Sequence, residues 1–180
     1  ILLNEGFAAL TVRRTAETAE IRMATLQYYF PTREKLFEAA FQDIVDKAWQ
    51  EMMVLLDQSN ASGTESRLRR FIKAMCETSH NQPLVGSFIE LWAAARVHQY
   101  AADIMCLYYQ DAVGVFAKLI HEARPELGFQ RSRQLANLAM SLIEGHSLFN
   151  QMDTLARRRT SLATRVVEKG IMVLLDHYTR

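Results

Sequence analysis

Residues 11–36 read TVRRTAETAEIRMATLQYYFPTREKL, and this stretch gives the strongest indication of the fold. Its pattern predicts one short helix over Thr11–Thr18, with Thr11 as the N-cap, and a second over about Arg22–Phe30. Only the three residues Ala19–Ile21 separate the two helices. Helices this short are marginal in isolation. Each must therefore be stabilised by its neighbours in the fold.

The apolar positions of this stretch have the spacing to form one small core, while most of its polar side chains point outward. The expected core residues are Val12, Ala16, Ala19, Ile21, Leu26 and Phe30. This is the layout of a helix-turn-helix, whose second helix enters the major groove of DNA. An ordinary helical hairpin with a solvated polar face has the same periodicity, so the periodicity leaves both interpretations open.

The outward side chains suit DNA recognition. Gln27 can pair with an adenine edge through two hydrogen bonds, and Arg22 can pair with guanine. Thr25, the two tyrosine hydroxyls and Arg33 are types that contact phosphate, as are the helix N-termini behind Thr11 and Thr32. The candidate DNA-binding residues are Arg13, Arg14, Arg22, Met23, Ala24, Thr25, Gln27, Tyr28, Tyr29 and Arg33.

Residues Gly6–Phe41 resemble the DNA-binding domain of the TetR family of transcriptional regulators. The motifs that carry the resemblance are Gly6-Phe7, Leu10-Thr11-Val12, Ala16, Thr25-Leu26-Gln27-Tyr28-Tyr29-Phe30 and Thr32-Arg33-Glu34-Lys35-Leu36. The resemblance implies a homodimeric regulator, most often a repressor, that binds a palindromic operator and responds to a small molecule. The rest of the chain is similar only in the number and length of its helices.

Four positions depart from the family pattern. Glu20 stands where a turn glycine is usual, so the turn is expected to be slightly strained or to adopt a right-handed helical conformation. Arg22 replaces an N-cap serine or threonine, Gln27 replaces a tyrosine, and Arg33 replaces a lysine while keeping the charge. The operator sequence is therefore not transferable from a relative.

Composition and periodicity extend the all-α prediction to the whole chain of 180 residues. Glycine and proline together make up about 6% of it, half the usual share, which argues against turn-rich sandwiches and barrels. An apolar fraction of 49% argues against disorder. We expect a three-helix DNA-binding domain over residues 1–41, its first helix truncated, and a larger effector-binding and dimerisation domain over 42–180. Further helices are expected at about 32–57, 64–80, 84–98, 101–123, 130–152 and 162–178.

Charge gives no general indication of nucleic-acid binding. The whole chain has a formal net charge of +1, and the basic and acidic residues of 1–41 cancel. A DNA-binding domain is expected to be more basic than this. We therefore expect a segment before Ile1, absent from this sequence, to supply basic residues.

The last two long helices carry apolar stripes at heptad-like spacing, which predicts a dimer seam. Two recognition helices must reach successive major grooves, and this requires a dimer. The candidate interface residues are Leu135, Leu138, Leu142, Gly145, Phe149, Leu162, Val166, Gly170 and Leu174. The alternative is that both stripes face the core of a single chain.

The middle helices carry the candidates for an effector pocket, since aromatic and methionine side chains with a few polar groups are typical of ligand sites. They are Phe71, Met75, Phe88, Trp92, Tyr108, Tyr109, Phe116, Asn137, Met140 and Glu144. The same residue types also fill any helical core. If Asn137 and Glu144 are buried, each needs a polar partner.

Several other functions are disfavoured. Two cysteines do not make a disulfide scaffold or a four-ligand zinc site, and no apolar run is long enough for a membrane span. Glu77 and His80 form one Glu-x-x-His motif, but a di-iron site needs a second copy. We expect no catalytic residue, metal or cofactor, and a cytoplasmic protein whose partners are operator DNA, a second copy and an effector. The alternative function is a helical small-molecule-binding protein that does not bind DNA.

Overall fold

A computed structural model describes residues 1–57, 63–78, 82–152 and 160–179 of the chain. The predicted all-α class is confirmed, and these residues contain no strand. The helices are α1 (Leu2–Glu5), α2 (Val12–Thr18), α3 (Met23–Tyr29), α4 (Arg33–Asp57), α5 (Gly63–Thr78), α6 (Gln82–Ala95), α7 (Gln99–Ala123), α8 (Gly128–Met152) and α9 (Thr160–Tyr178). Short 3-10 turns cover Phe7–Ala9 and Pro125–Leu127.

The predicted starts of the N-terminal helices are confirmed by their caps. The Thr11 hydroxyl accepts a hydrogen bond from the backbone N–H of Arg14 at 3.2 Å. The Thr32 hydroxyl accepts one from the N–H of Lys35 at the same distance and so caps α4. Each cap satisfies a backbone donor that the first helical turn leaves unpaired. Pro31 lies between α3 and α4, where its missing N–H removes no helical bond.

The chain packs as two compact units. The first comprises residues 1–49 and 86–108, and the second comprises residues 50–85 and 109–180. The functional boundary that we expect after residue 41 is a separate matter and stays a prediction.

In the first unit, the core under α2 and α3 is built by Leu10, Ala16, Leu26, Leu36 and Phe37, all buried. The prediction of a shared core is correct for Ala16 and Leu26 but wrong for Ala19 and Ile21. Ala19 is exposed, and Ile21 retains 42% of its accessible surface. Both residues flank the turn at Glu20, and the core is completed from Leu10 and α4 instead.

In the second unit, α9 packs against α5 and α8. Its buried face consists of Ile171, Met172 and Leu175. Arg124, which follows α7, donates to Asp176 on α9 at 2.8 Å and forms an ion pair with Glu65 on α5. These bonds join three helices at one largely buried guanidinium.

Candidate functional site

Helix α3 displays six of the ten side chains that the sequence predicts for DNA contact. Gln27, Tyr28 and Tyr29 are exposed, and 81% of Tyr28 is accessible. Arg22, Met23, Ala24 and Thr25 are exposed as well. Leu26 alone is buried and anchors the helix to the core. A short helix with one apolar anchor and a continuous polar and aromatic surface has the form that major-groove reading requires.

The turn between α2 and α3 contains Glu20, which stands where a turn glycine is usual in the TetR pattern. Glu20 has a φ of +54°, in the left-handed region, so of the two expected outcomes the strained turn is the one found and the right-handed conformation is wrong. The Ile21 N–H then donates to the Ala16 carbonyl at 3.0 Å, which closes α2. A residue with a Cβ in this region costs about 1–2 kcal/mol. The angle between the two helices is therefore obtained at the expense of local strain.

The arginines of α2 are exposed but already paired. The Arg13 Nε donates to Glu17 at 2.9 Å, and Arg14 forms an ion pair with Glu5. Exposed pairs of this kind contribute about 0–1 kcal/mol, so a phosphate can replace the carboxylate at little cost. Both arginines remain candidates for phosphate contact.

Arg33 has bonding partners within the protein that the sequence did not predict. Its guanidinium donates to the carbonyl oxygen of Phe7 at 2.7 Å and, through Nε, to that of Leu10 at 3.0 Å. The same group lies 4.3 Å from the centroid of the Phe7 ring. Because these contacts use Nε and one terminal nitrogen, the geometry gives Arg33 a part in holding residues 7–10 on α4. Its predicted contact with phosphate stays a prediction.

In the first unit, two of the effector candidates belong to a column of aromatic rings. The Phe88 centroid lies 4.7 Å from that of Tyr108 and 5.3 Å from that of Phe41. Phe41 in turn lies beside Phe37, whose centroid is 4.4 Å from that of Phe7. Phe88 and Tyr108 are therefore packed against the residues that support α2 and α3. Trp92 is half-buried on the same helix as Phe88.

In the second unit, Glu144 and Tyr109 form a polar pair between α8 and α7. The Tyr109 hydroxyl donates to the Glu144 carboxylate, which favours the charged form. Burial acts in the opposite direction more strongly and raises the pKa of Glu144 to about 7. This carboxyl group therefore titrates near neutral pH, and it has a polar partner, as predicted for a buried position.

The other candidates of the second unit divide between the core and the surface. Phe71 and Phe116 are completely buried, with ring centroids 5.1 Å apart, and Met75 and Met140 are buried as well. In this conformation these four side chains are core, so their part in a pocket stays a prediction. Asn137 is exposed, and its amide donates to the Arg133 carbonyl at 3.0 Å, which places it outside the core.

The predicted dimer residues are partly exposed and partly buried. Leu138, Leu142 and Phe149 are exposed along one face of α8, with 74% of Phe149 accessible, and Val166 and Gly170 are exposed on α9. Gly145 and Leu174 are intermediate. Leu135 retains only 4% exposure, so it belongs to the core of the single chain and not to the predicted seam. The side chain of Leu162 lies outside the described residues.

Two features of the site escaped the sequence analysis. Glu90 on α6 accepts a hydrogen bond from the Phe7 N–H at 2.6 Å, although 83 positions separate the two residues. Val173 adds exposed apolar surface to α9. The regular spacing from Val166 could have pointed to Val173, whereas no local pattern links Glu90 to Phe7.

The described part of the chain contains no group of three or more histidine, cysteine, aspartate or glutamate side chains able to hold a metal ion. None of its described helices is long and apolar enough to cross a membrane. His80, half of the Glu-x-x-His motif, lies outside the described residues.

Comparison with known families identifies the N-terminal region. Residues 2–40 match the sequence model of the family described as bacterial regulatory proteins, tetR family. The match covers α1–α3 and the first turns of α4, which are the elements that form the exposed helix-turn-helix. No curated protein matches the chain significantly.

Solved structures share the fold over nearly the whole chain. A TetR transcription regulator from Haloarcula marismortui has a TM-score of 0.78 at 15% identity, covering 98% of this chain and 90% of that one. A TetR transcriptional regulator from Legionella pneumophila has a TM-score of 0.66 at 20% identity, covering 98% and 89%. A protein from Saccharomonospora viridis, assigned as a transcriptional regulator and solved in complex with choline, has a TM-score of 0.76 at 15% identity, covering 98% and 90%.

Proposed function

We propose that this chain, whose residues 2–40 match the tetR family model, is a TetR-family repressor released from a palindromic operator by a small-molecule effector. Residues 1–41 would bind DNA, and residues 42–180 would bind the effector and a second copy of the chain. The observation that carries the DNA-binding part is the surface of α3, where Gln27, Tyr28 and Tyr29 are exposed around the buried anchor Leu26.

Within this surface, we assign base reading to Gln27 and phosphate contact to Tyr28. The amide of Gln27 offers a donor and an acceptor together, which matches the adenine edge in the major groove. The Tyr28 hydroxyl suits a phosphate oxygen, which every DNA sequence presents alike. The two side chains should therefore differ in how their loss depends on sequence.

The test uses a duplex selected by the wild-type protein from a random library, and single base-pair variants of that duplex. Gln27→Ala is expected to weaken binding by about 1–3 kcal/mol and to relax preference at particular base pairs. Tyr28→Phe, the matched control, should weaken binding to all variants alike. A uniform loss for Gln27→Ala would assign it to phosphate, and a wild-type protein that selects no duplex would favour a ligand-binding protein without a DNA function.

The proposed dimer joins the exposed apolar faces of α8 and α9 to their copies. Phe149 and Val166 are large apolar side chains exposed to solvent in the single chain, and burying them removes apolar surface from water. Phe149→Asp is expected to shift the protein toward the monomer in sedimentation velocity. Phe129→Asp, an equally drastic change at another exposed phenylalanine of α8, should leave the dimer intact. Dimers that persist in Phe149→Asp would exclude this face.

The proposed effector site draws on Tyr109 and Glu144, which form a polar pair within the second unit. The choline complex of the Saccharomonospora viridis protein supports a small-molecule site in this fold. Release would be a population shift: the effector binds more tightly to the conformation whose recognition helices have the wrong separation. A compound found by thermal-shift screening should also lower affinity for the selected duplex, and a compound that stabilises the protein without this effect would argue against release.

The remaining parts of the proposal concern cellular context. A regulator of bacterial operators works where the chromosome is, so we place the protein in the cytoplasm. We also propose that it has no catalytic activity of its own. Both statements rest on the family assignment.

A further inference from the structure

The side chain of Glu90 meets the backbone just before the helix-turn-helix. One carboxylate oxygen, Oε2, accepts the Phe7 N–H at 2.6 Å. The other, Oε1, lies 2.5 Å from the point where a Cβ on Gly6 would stand. Gly6 also has a φ of +80°, a conformation that side chains disfavour. The Gly6-Phe7 peptide therefore leaves room for this carboxylate and presents a donor to it.

The same segment is held from α4 through its carbonyl oxygens. Arg33 donates to the carbonyls of Phe7 and Leu10 and covers the Phe7 ring. Residues 7–10 are thus fixed by a carboxylate from α6 on an N–H and by a guanidinium from α4 on the carbonyls. Thr11, the N-cap of α2, follows directly. These two attachments act together with the buried core of Leu10, Ala16, Leu26, Leu36 and Phe37 to orient α2 and α3.

We propose that Glu90 is a positioning residue for DNA binding, which fixes the helix-turn-helix on α6 through the Phe7 N–H. This role rests on the proposed DNA binding, because a dimer must present both recognition helices at one spacing of about 34–36 Å. If the helix-turn-helix lost its attachment to α6, it would adopt more orientations. DNA would then bind only the molecules in which the orientation is right. The apparent affinity falls with the competent fraction.

Electrostatics gives the opposite expectation, which makes the proposal testable. Removing a negative charge from a DNA-binding protein strengthens its general attraction to phosphate. If Glu90 acts only through its charge, Glu90→Ala should bind DNA as tightly as the wild type or more tightly. If Glu90 positions the helix-turn-helix, Glu90→Ala should bind DNA more weakly although it is less acidic than the wild type.

The experiment measures affinity for the selected duplex by fluorescence anisotropy in the full-length protein, at temperatures where circular dichroism shows each variant to be folded. Glu90→Ala is expected to lose about tenfold or more in affinity. Glu90→Gln keeps an acceptor oxygen at the same reach and should stay within about threefold of the wild type. Glu126→Ala, at an exposed glutamate of the turn Pro125–Leu127, makes the same charge change and should show no loss.

Two further measurements separate positioning from general stability. Glu90→Asp keeps the charge and shortens the side chain by one carbon, so it should lose affinity like Glu90→Ala. Amide exchange at Phe7 should accelerate in Glu90→Ala and Glu90→Asp but not in Glu90→Gln. Wild-type affinity in folded Glu90→Ala, or in Glu90→Asp if the alanine variant does not fold, would overturn the role. A wild-type protein that selects no duplex would overturn the proposed function and this role together.

Discussion

Glu144 gives the protein a stability that should fall as the pH rises through neutrality. Burial raises the pKa of this carboxyl group from an ordinary 4.5 to about 7, against the hydrogen bond from Tyr109. Between these two values the folded protein binds more protons than the unfolded chain does. The free energy of unfolding must therefore decrease with rising pH in this window, because stability increases with pH only where the unfolded state binds more protons.

The size of the effect follows from the two pKa values. A difference of one pH unit is worth about 1.4 kcal/mol, so ionising Glu144 in the folded state costs up to about 3 kcal/mol above pH 7. Glu144→Gln replaces the acid with a neutral isostere that can still accept the Tyr109 hydrogen bond. The free energy of unfolding of Glu144→Gln, taken relative to that of the wild type, should be about 3 kcal/mol higher at pH 8 than at pH 4.5.

The assay is chemical denaturation of both proteins across this pH range, read as the difference between their free energies of unfolding. Glu126→Gln is the matched control, because the same change at an exposed site should give a difference that does not vary with pH. Tyr109→Phe removes the donor that favours the carboxylate and should move the Glu144 titration to still higher pH. If the free energies of unfolding of Glu144→Gln and the wild type differed by the same amount at every pH, Glu144 would not have a raised pKa.

Three further substitutions test the fold around the site. Glu20→Gly should raise the free energy of unfolding by about 1 kcal/mol, because glycine removes the cost of a left-handed φ but adds freedom to the unfolded chain; Glu20→Ala should leave it unchanged in the same urea titration. Arg33→Lys should lower thermal stability almost as much as Arg33→Ala, since an ammonium cannot span the carbonyls of Phe7 and Leu10; full retention by the lysine variant would contradict this. Arg124→Met should cost about 1–2 kcal/mol by loss of charged hydrogen bonds, and denaturation of the variant measures it directly.

The local sequence pattern predicted the secondary structure of residues 11–36. The caps at Thr11 and Thr32 follow from hydroxyl residues placed just before apolar periodicity, and both were found from sequence alone. The helix-turn-helix surface could also be predicted, since Leu26 is the one buried residue within α3. These features depend on neighbours within four positions along the chain.

Contacts between residues distant along the chain could not be predicted from local pattern. Arg33 is predicted to contact phosphate because it is basic and follows the recognition helix, but no pattern showed that it also donates to backbone carbonyls 23 and 26 positions away. Leu135 fits the heptad spacing of the predicted dimer seam, but it is buried in the core of the single chain. On α8 the face that packs against the same chain lies next to the face that is left exposed for a partner. Sequence periodicity gives the spacing of a stripe and not what covers it. Ile21 was assigned to the core from its spacing alone, which does not show that a residue beside the left-handed turn at Glu20 stays exposed.

The placement of the basic residues orders them by their availability to DNA. Within residues 1–41 the basic and acidic side chains are equal in number, so these residues supply little net attraction to phosphate. Arg13 and Arg14 can exchange an exposed carboxylate for a phosphate at little cost, whereas Nε and one terminal nitrogen of Arg33 are already bonded to two backbone carbonyls. In the proposed dimer, base contacts from α3 and the spacing of the two helix-turn-helix motifs must then contribute what the net charge of these residues does not. Glu90 and Arg33 are both directed at the backbone of residues 7–10, so their expected effect on DNA binding is geometric.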